Sequence, residues 1–522
     1  MEKNKFLLFG LLLSFSLCDA SKILAVFPVP SPSHGILGDN MVKHLLNGGH
    51  EVTYITPFVA KQTKHPKLTL VDVSENLNFF GEKMLDVKQI MSGAMDLQDT
   101  EIMFEMMMTM ASLTLGNENL QNMLKDRSRQ FDVIIGEYMF TDLYSSLPAV
   151  LQCPFIWFST IEPHWMVLNL VHGPPNPAYV SDYLQARVAP YSFKGRVNEL
   201  WTQLKGLYQN NNGFYAKEEE VYMKFIAPII TEQGRPVPDY NELKYNASLL
   251  LGNSQVAIGS AIPLPPSYKH IGGYHIDEPV KPLPEDLKKI LDNAKNGVIY
   301  FSLGSNLKSR DLPDDLKQGL LKVFGGLKQT VLWKFEENLP GAPKNIHIVQ
   351  WAPQQSILAH PNVVLFVTHG GLLSVTEAVH FAVPLITIPV FADQFLNANR
   401  AQQKGFAVKV DLSYHMHKDL KVALDKVLGD LPKYTATVRD LSIAYHDAPM
   451  KPKDALNFWV NHVIRTRGAP HLRSVALQIP LYQRVYLDLL AVILLALVVL
   501  VLVVKKILCL VISKKSTKLK TN

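Results

Sequence analysis

A strand-to-helix junction in the carboxyl-terminal half carries residues whose types could bind a nucleotide. The stretch "THGGLLSVTEA", residues 368–378, follows an apolar run, so the sequence predicts a buried strand that turns into a helix. A helix N-terminus carries partial positive charge and unpaired N–H groups, which bind phosphate when glycine lets the backbone come close. Gly370 and Gly371 allow that approach. His369 could donate to the same phosphates and Glu377 could accept hydrogen bonds from both hydroxyls of a ribose. The stretch is therefore interpreted as a nucleotide site.

Two other nucleotide-binding motifs are missing from the relevant places in the sequence. The pattern G-x-G-x-x-G occurs neither here nor after the first predicted strand, and G-x-x-x-x-G-K-[ST] occurs nowhere in the chain. These absences argue against a dinucleotide-dependent oxidoreductase and against a P-loop ATPase.

A longer segment around this junction resembles the signature of a known enzyme family. In "FVTHGGLLSVTEAVHFAVPLITIPVFADQ", residues 366–394, the H-G-G, the glutamate, two prolines and the closing D-Q have the spacing of the UDP-glycosyltransferases. The resemblance extends over nearly the whole chain through "FSLGS" at 301–305, "WAPQ" at 351–354 and "IPLPPSYKHIGGYH" at 262–275. The residues in several of these segments are similar to those of the insect branch of the family. The resemblance implies an α/β fold of two facing Rossmann-like domains (the GT-B type) and sugar transfer from a UDP-sugar.

The resemblance also implies which residues bind the UDP-sugar donor in the second domain. Trp351 would stack on uracil, since an aromatic ring suits a flat base, and Gln354 would bond to the uridine. The complete implied donor set is Gly304, Ser305, Trp351, Gln354, His369, Gly371, Ser374, Glu377, Asp393 and Gln394.

Within that set, the resemblance divides the phosphates from the sugar. The diphosphate would be held by Ser305, by the backbone at Gly304, by Ser374, and by His369 with the helix that begins near Gly371. The sugar hydroxyls would be bound by the last two residues of the segment, Asp393 and Gln394, which are adjacent acceptor and donor side chains.

A histidine near the amino terminus would supply the chemistry. His34, in "PVPSPSHG" after the first predicted strand, corresponds to the family's general base, which needs a carboxylate to orient its ring. Glu137 aligns with that carboxylate, which is an aspartate in many members, and Asp142 is the alternative. His34 would take the acceptor's proton as its oxygen attacks the anomeric carbon, which inverts an α-linked donor to a β-glycoside.

The donor sugar and the cofactors follow from two further sequence features. Glucuronate-using vertebrate relatives carry an arginine where this chain has Ile262, so a carboxylated sugar would lose a partner and we expect UDP-glucose. The chain contains no D-x-D motif, so we expect no metal and no cofactor beside the UDP-sugar co-substrate.

Two series of alternating strand and helix patterns surround these residues. In the first, strands are predicted at "KILAVFPVP", "EVTYITPF", "FDVIIGEY" and "PFIWFST", with a glycine-containing turn and a helix after the first. In the second, they are predicted at "GVIYFSLGS", "TVLWKFE", "IHIVQWAP", "VVLFVTHGG", "PLITIPV" and "FAVKVDL". A methionine-dense segment, 91–110, could form a helix that lines an apolar ligand cavity, or ordinary helical core.

The two ends of the chain predict a membrane protein of the secretory pathway. A charged start, a short apolar run and the small residues Cys18 and Ala20 are typical of a signal peptide, although a retained anchor is the alternative. The run 489–504 is long enough to cross a bilayer when "VYLD" before it is included, and six lysines without acids follow it, which places that tail in the cytosol. The last residues, "KLKTN", resemble a dilysine retrieval signal of the endoplasmic reticulum, or are generic tail lysines.

We therefore expect a single-pass type I protein of the endoplasmic reticulum with a luminal catalytic part. The predicted segments are a signal peptide at 1–20, an acceptor-binding domain at 21–278, a proline-rich linker at 279–284, a UDP-sugar-binding domain with return helices at 285–484, a transmembrane helix at 485–504 and a lysine-rich tail at 505–522.

The remaining composition restricts partners and modifications. Without its tail lysines the net charge of +6 falls near zero, so no nucleic-acid-binding surface is predicted. Only Cys153 would remain in the lumen, which excludes a disulfide framework. Asn246, in "NAS", is a candidate glycosylation site, and a homo-oligomer is compatible with the sequence.

The sequence thus predicts transfer of a hexose to hydroxyls of small lipophilic acceptors, a detoxification type of reaction. Two alternatives stay open. One is a nucleotide-sugar epimerase of similar architecture. The other is a catalytically silent UDP-sugar-binding membrane protein, which the glutamate at position 137 would favour.

Overall fold

A computed structural model describes residues 20–79, 87–92, 99–305 and 307–518. The predicted signal peptide, apart from its last residue, and the last four residues of the predicted tail lie outside these ranges.

The first domain is built on a seven-stranded parallel sheet in the order β3-β2-β1-β4-β5-β6-β7. Its strands are β1 (Lys22–Val26), β2 (Glu51–Thr56), β3 (Leu68–Asp72), β4 (Val133–Tyr138), β5 (Phe155–Ser159), β6 (Leu249–Gly252) and β7 (Tyr268–His270). Side chains of β1 alternate between two hydrophobic cores, with Leu24 and Val26 in one and Ile23 and Ala25 in the other. Both faces are covered, which explains why this strand is almost uniformly apolar.

Helices cover both faces of this sheet. They are α1 (Pro32–Asn47), α2 (Asn76–Phe79), α3 (Val87–Ser92), α4 (Thr100–Gly116), α5 (Glu118–Lys125), α6 (Leu147–Leu151), α7 (Trp165–Val171), α8 (Phe193–Gln209), α9 (Tyr215–Phe225), α10 (Ala227–Glu232) and α11 (Tyr240–Lys244). A short π-helix, Asn210–Phe214, connects α8 to α9.

The second domain repeats the design with a six-stranded parallel sheet in the order β10-β9-β8-β11-β12-β13. Its strands are β8 (Val298–Ser302), β9 (Thr330–Lys334), β10 (Ile346–Val349), β11 (Val363–Thr368), β12 (Leu385–Thr387) and β13 (Ala407–Lys409). Its helices are α12 (Glu285–Asp292), α13 (Asp314–Gly325), α14 (Gln354–Leu358), α15 (Leu372–His380), α16 (Gln394–Gln403), α17 (Met416–Gly429) and α18 (Leu431–His446). The two doubly wound sheets confirm the predicted fold class.

The start of α1 differs from the expected glycine-containing turn. The helix already begins at Pro32, so Gly35 and Gly38 lie inside it. A Cβ on Gly35 would come within 2.9 Å of the Phe58 ring, and one on Gly38 would collide with the Tyr54 hydroxyl. The glycines therefore serve close packing rather than a turn, and the prediction of a turn was wrong.

The methionines of α4 belong to a hydrophobic core. Met103, Met107 and Met110 are buried together with Phe140 and, from the second domain, Leu396. This part of the methionine-dense segment therefore forms packing between the domains. Residues 93–98 of the segment lie outside the described residues.

The chain returns to the first domain before it reaches the membrane. Helix α18 packs on the second domain, where Val438 and Tyr445 join the core beneath α15. Helix α19 (Pro452–Arg465) then places Leu456, Val460 and Val463 in the core of the first sheet. The first domain therefore contains a helix from the end of the chain.

A short helix, α20 (Leu481–Arg484), precedes the long apolar helix α21 (Leu487–Lys518). Within the described residues, α21 is the one helix apolar and long enough to cross a membrane, over Leu487–Ile512. This stretch fits a single-pass anchor. The predicted span ended at Val504, but the helix continues past Lys505 and Lys506 because a second apolar run follows them.

We predict that truncating the return helix destabilises the first domain. Leu456→Ala should lower the free energy of unfolding by about 2–5 kcal/mol, since Leu456 is fully buried. The matched control is Ile443→Ala on α18, because Ile443 is 63% exposed and should change stability little. Urea denaturation of the full-length protein in detergent measures both variants, and equal midpoints for the two would contradict the packing described.

Candidate active site

A cleft of about 830 Å³ lies between the two domains, at the carboxyl ends of their parallel strands. Open α/β sheets bind ligands at this edge. Apart from Glu137, which lies behind His34, every predicted catalytic and donor-binding residue lines the cleft.

His34 and Glu137 form a close pair on the first-domain side. His34 lies in the first turn of α1, and its Nδ1 is 2.6 Å from Oε1 of Glu137 on β4. Glu137 is completely buried, and its Oε2 has no hydrogen-bond partner among the described residues. A buried carboxylate on Nδ1 holds the imidazole in one orientation and favours a proton on that nitrogen. Nε2 is thereby the nitrogen left to accept a proton.

Asp142, the alternative partner, lies elsewhere in the first domain. Its backbone N–H donates to Glu218 Oε1 at 2.8 Å, and both carboxyl groups are buried. Burial raises the pKa of each of these two groups above its ordinary value. Tyr240 donates to the other oxygen of Glu218. In this structure Asp142 thus belongs to a separate buried polar cluster, and Glu137 contacts His34.

His369 lies between two glycines at the end of the cleft that is predicted to bind the diphosphate. A Cβ on Gly304 would come within 2.6 Å of its ring, and one on Gly371 within 2.5 Å. Gly304 and Gly370 also have positive φ angles of 88° and 81°, which glycine adopts without strain. The imidazole ring of His369 can therefore occupy this position only because residues 304 and 371 have no side chains. Gly371 is the N-cap of α15, whose N-terminus faces the cleft.

Burial keeps the imidazole of His369 neutral. Burial, with a smaller contribution from the nearby Lys334 ammonium, lowers the pKa of His369 to about 4. A neutral imidazole still carries one N–H, so it can donate one hydrogen bond to a phosphate oxygen.

Lys334 is a cleft residue that the sequence reasoning missed. It ends strand β9, lines the cleft and donates from Nζ to the Gly304 carbonyl oxygen at 2.6 Å. Burial lowers the pKa of its ammonium group. The available signal was a lysine at the carboxyl end of an otherwise apolar strand. Its position supplies a cation beside the glycine loop.

The end of the cleft that is predicted to bind the base and ribose contains a hydrogen-bonded network around Glu377. Gln354 Nε2 donates to Glu377 Oε2 at 2.6 Å and to the Ser374 hydroxyl at 3.1 Å. Gln355 Nε2 donates to Glu377 Oε1 at 3.2 Å, and His275 Nε2 lies 3.3 Å from the same oxygen. Gln355 and His275 were not predicted. Gln355 donates to the carboxylate from α14, and His275 lies beside it from the segment before the linker.

Two predicted contacts remain exposed at the rim of the second domain. Trp351 is 77% exposed, so one face of its indole is available for stacking. Ser305 is likewise exposed beside Gly304. Both residues line the cleft.

The end of the cleft that is predicted to bind the sugar brings the domains face to face. Asp393 is half-buried there, and burial raises the pKa of its carboxyl group while a hydrogen bond from Asn397 opposes the shift. The carboxyl group also interacts electrostatically with His34 across the cleft. Gln394 begins α16, and its Oε1 accepts from the backbone N–H of Val390 at 2.9 Å. The NH₂ group of Gln394 is therefore the part available to a ligand.

Two other residues that were singled out from the sequence, Ile262 and Asn246, do not line the cleft. Ile262 is half-buried against the first-domain core and is not among the residues that line the cleft. The expectation of UDP-glucose from this position therefore stays a prediction. Asn246 is exposed, and its Oδ1 accepts from Arg473 at 2.7 Å.

The segment just before the predicted linker joins both domains through Asp277. Asp277 accepts from Lys43 of α1 at 2.6 Å, while its backbone N–H donates to Gln355 of α14 at 2.9 Å. The segment thus connects the helix that carries His34 to the network around Glu377.

Two facing doubly wound domains with a cleft between them define the GT-B fold of glycosyltransferases. Solved glycosyltransferases are similar to the chain in this fold. The spinosyn forosaminyltransferase SpnP matches with a TM-score of 0.56 at 15% identity, covering 86% of this chain and 100% of its own. The calicheamicin glycosyltransferase CalG4 matches with a TM-score of 0.54 at 16% identity, covering 86% and 99%.

The sequence comparisons specify the family. Residues 22–521 match the model of the UDP-glucoronosyl and UDP-glucosyl transferases, and the chain belongs to this family. It is 32% identical to UDP-glucosyltransferase 2 of Dactylopius coccus, over 99% of this chain and 98% of that protein. It is 30% identical to UDP-glucuronosyltransferase 2B15 of Rattus norvegicus, over 93% and 92%. The predicted family is confirmed, and the protein is an enzyme that transfers sugar from a UDP-sugar.

We predict that the space beside His369 is needed for donor binding. Gly304→Ala combines the left-handed backbone strain of about 1–2 kcal/mol with displacement of the imidazole, so UDP affinity should fall by about tenfold or more. Gly341→Ala is the matched control, because Gly341 has a φ of 80° but no atom within 4 Å of an added Cβ. Isothermal titration with UDP measures both, and equal affinities for the two variants would count against the wedged histidine.

Proposed function

We propose that the enzyme transfers a hexose, preferably glucose, to a hydroxyl group of small lipophilic acceptors with inversion at the anomeric carbon. The observation that carries this proposal is the His34–Glu137 pair, which faces Asp393 across a cleft whose other wall is the helix N-terminus at Gly371.

In the proposed mechanism His34 acts as the general base. Its Nε2 takes the proton of the acceptor hydroxyl while that oxygen attacks the anomeric carbon of the donor. The imidazolium that forms is stabilised by the buried Glu137 carboxylate, which needs no rearrangement. Bond formation on the face opposite to UDP inverts the configuration.

The departing UDP gains charge at the other end of the cleft. The N–H groups at the start of α15, the neutral imidazole of His369 and the Lys334 ammonium lie where this charge would develop. These groups supply positive potential without a metal ion, and we propose that none is required.

The preference for glucose is supported by charge at the sugar end and by one relative. Asp393 would accept from sugar hydroxyls, but it would repel the carboxylate of a glucuronosyl donor. The relative from Dactylopius coccus is named a UDP-glucosyltransferase.

We further propose that the catalytic part lies in the lumen of the endoplasmic reticulum and acts in conjugation of foreign or surplus hydroxyl compounds. The apolar helix α21, the lysines that follow its centre and the exposed sequon asparagine at position 246 support this orientation. Glycosylation of Asn246 would require the first domain to face the lumen.

We predict that loss of the base abolishes transfer without loss of donor binding. His34→Ala should lower kcat by about 10²–10⁴-fold while UDP affinity stays unchanged, because His34 lies in the first domain. Glu137→Gln should lower kcat less, since it removes charge but keeps the side chain's size. His415→Ala, an exposed histidine of the second domain, is the control.

The measurement is UDP release from UDP-glucose with a phenolic acceptor. Release that needs both the acceptor and His34 supports transfer. A change in the sugar without acceptor would instead indicate epimerisation, and binding without turnover would indicate a silent UDP-sugar-binding protein.

We predict a donor preference that depends on Asp393. The kcat/KM for UDP-glucose should exceed that for UDP-glucuronate by about tenfold or more, because the Asp393 carboxylate would repel the carboxylate of the glucuronosyl group; tenfold corresponds to about 1.4 kcal/mol. Asp393→Asn should narrow this ratio by removing the repulsion. Transfer from both donors is measured with and without EDTA for each enzyme. EDTA should leave the transfer rates unchanged, because the proposed mechanism uses no metal ion. A preference for UDP-glucuronate in the unmodified enzyme would contradict the assignment.

A further inference from the structure

Helix α8 has an apolar face that is turned away from the protein. Six large hydrophobic residues recur on it at the three- and four-residue spacing of one helical stripe, and all are exposed: Phe193, Val197, Leu200, Trp201, Leu204 and Tyr208. The opposite side of the helix is the side that packs on the domain, through Glu199, Gln203, Gly206 and Leu207. Phe193 and Trp201 are 75% and 68% exposed. A contiguous apolar patch of this kind marks an interaction surface.

The exposed charged residues of α8 flank this stripe, and all of them are positive. Lys194, Arg196 and Lys205 are exposed beside the apolar residues. The single acid of the helix, Glu199, is buried and accepts from Arg187 Nε at 2.6 Å. The outward surface therefore combines aromatic and aliphatic side chains with cations. This combination is typical of helices that lie in the plane of a membrane interface.

The fold places α8 close to where the chain enters the bilayer. Gln203 Nε2 on α8 donates to the Pro175 carbonyl oxygen at 2.9 Å. Three residues earlier in the same loop, the His172 carbonyl oxygen accepts from Arg484 at 3.1 Å, and its Nδ1 lies 2.6 Å from the Ser474 hydroxyl. Arg484 ends α20, just before the apolar helix α21 begins at Leu487.

We propose that the outer face of α8 lies in the luminal interface of the same bilayer that α21 spans. The occupant of this face is lipid: the apolar stripe contacts acyl chains and the flanking cations contact headgroup phosphates. Tryptophan and tyrosine, which this face contributes at positions 201 and 208, are enriched at that depth of a bilayer. Continuity with the membrane-entering segment favours lipid over a second copy of the chain. The first domain is then held at the membrane at two points.

The test uses tryptophan quenching in the full-length protein. The protein is placed in nanodiscs that hold one copy each, with either ordinary phosphatidylcholine or phosphatidylcholine brominated near the upper part of the acyl chains. Helix α21 contains no tryptophan, so it contributes no such signal. Brominated lipid should quench one component of the emission, and Trp201→Phe should remove that quenched component.

The matched control is Trp351→Phe, since Trp351 is also strongly exposed but lies at the catalytic cleft. This variant should retain the quenched component in full. Discs with one copy exclude a second chain as the source of any contact. The inference is overturned if brominated lipid does not quench the unmodified protein, or if Trp201→Phe leaves the quenching unchanged. The measurement needs no turnover, so it stands apart from the proposed function.

Discussion

The close approach of backbone to the His369 ring is the constraint on which the donor side of the cleft depends. Gly304 and Gly371 each leave room that a single methyl group would fill, and they come from the ends of different strands, β8 and β11. Because these strands are neighbours in a parallel sheet, their carboxyl ends meet. The histidine, the helix N-terminus and the loop that Lys334 holds therefore share one small volume.

The architecture of the second domain could be predicted because that domain is locally regular, and the family could be predicted from the signature at residues 366–394. All six of its strands are short apolar runs bounded by turns, and each was predicted. In the first sheet, β3, β6 and β7 were missed. Strand β7 has three residues and lies at an edge, while β6 follows a long helical stretch, so neither has a pattern that stands out locally. Their pairing comes from contacts with strands distant in sequence.

The partners of the site residues were less predictable than the residues themselves. A motif indicates that Glu377 belongs to a nucleotide site, but its contacts with Gln355 and His275 depend on how α14 and the segment before the linker pack against it. Lys334 was missed because a lysine at a strand end is usually a solvated residue. For Ile262, an aligned position does not tell which way a side chain points, and the structure packs it against the core of the first domain.

The return of α19 to the first domain affects how the protein is made. Leu456, Val460 and Val463 complete the core of a sheet whose first strand begins at Lys22. A ribosome delivers this strand early and the covering helix almost last, shortly before the membrane helix. Helix α1 covers another part of this face, but the part beneath α19 stays uncovered through most of translation, a period in which exposed apolar surface favours aggregation and chaperone binding. Nascent chains that stall before residue 452 should consequently be recognised as unfinished.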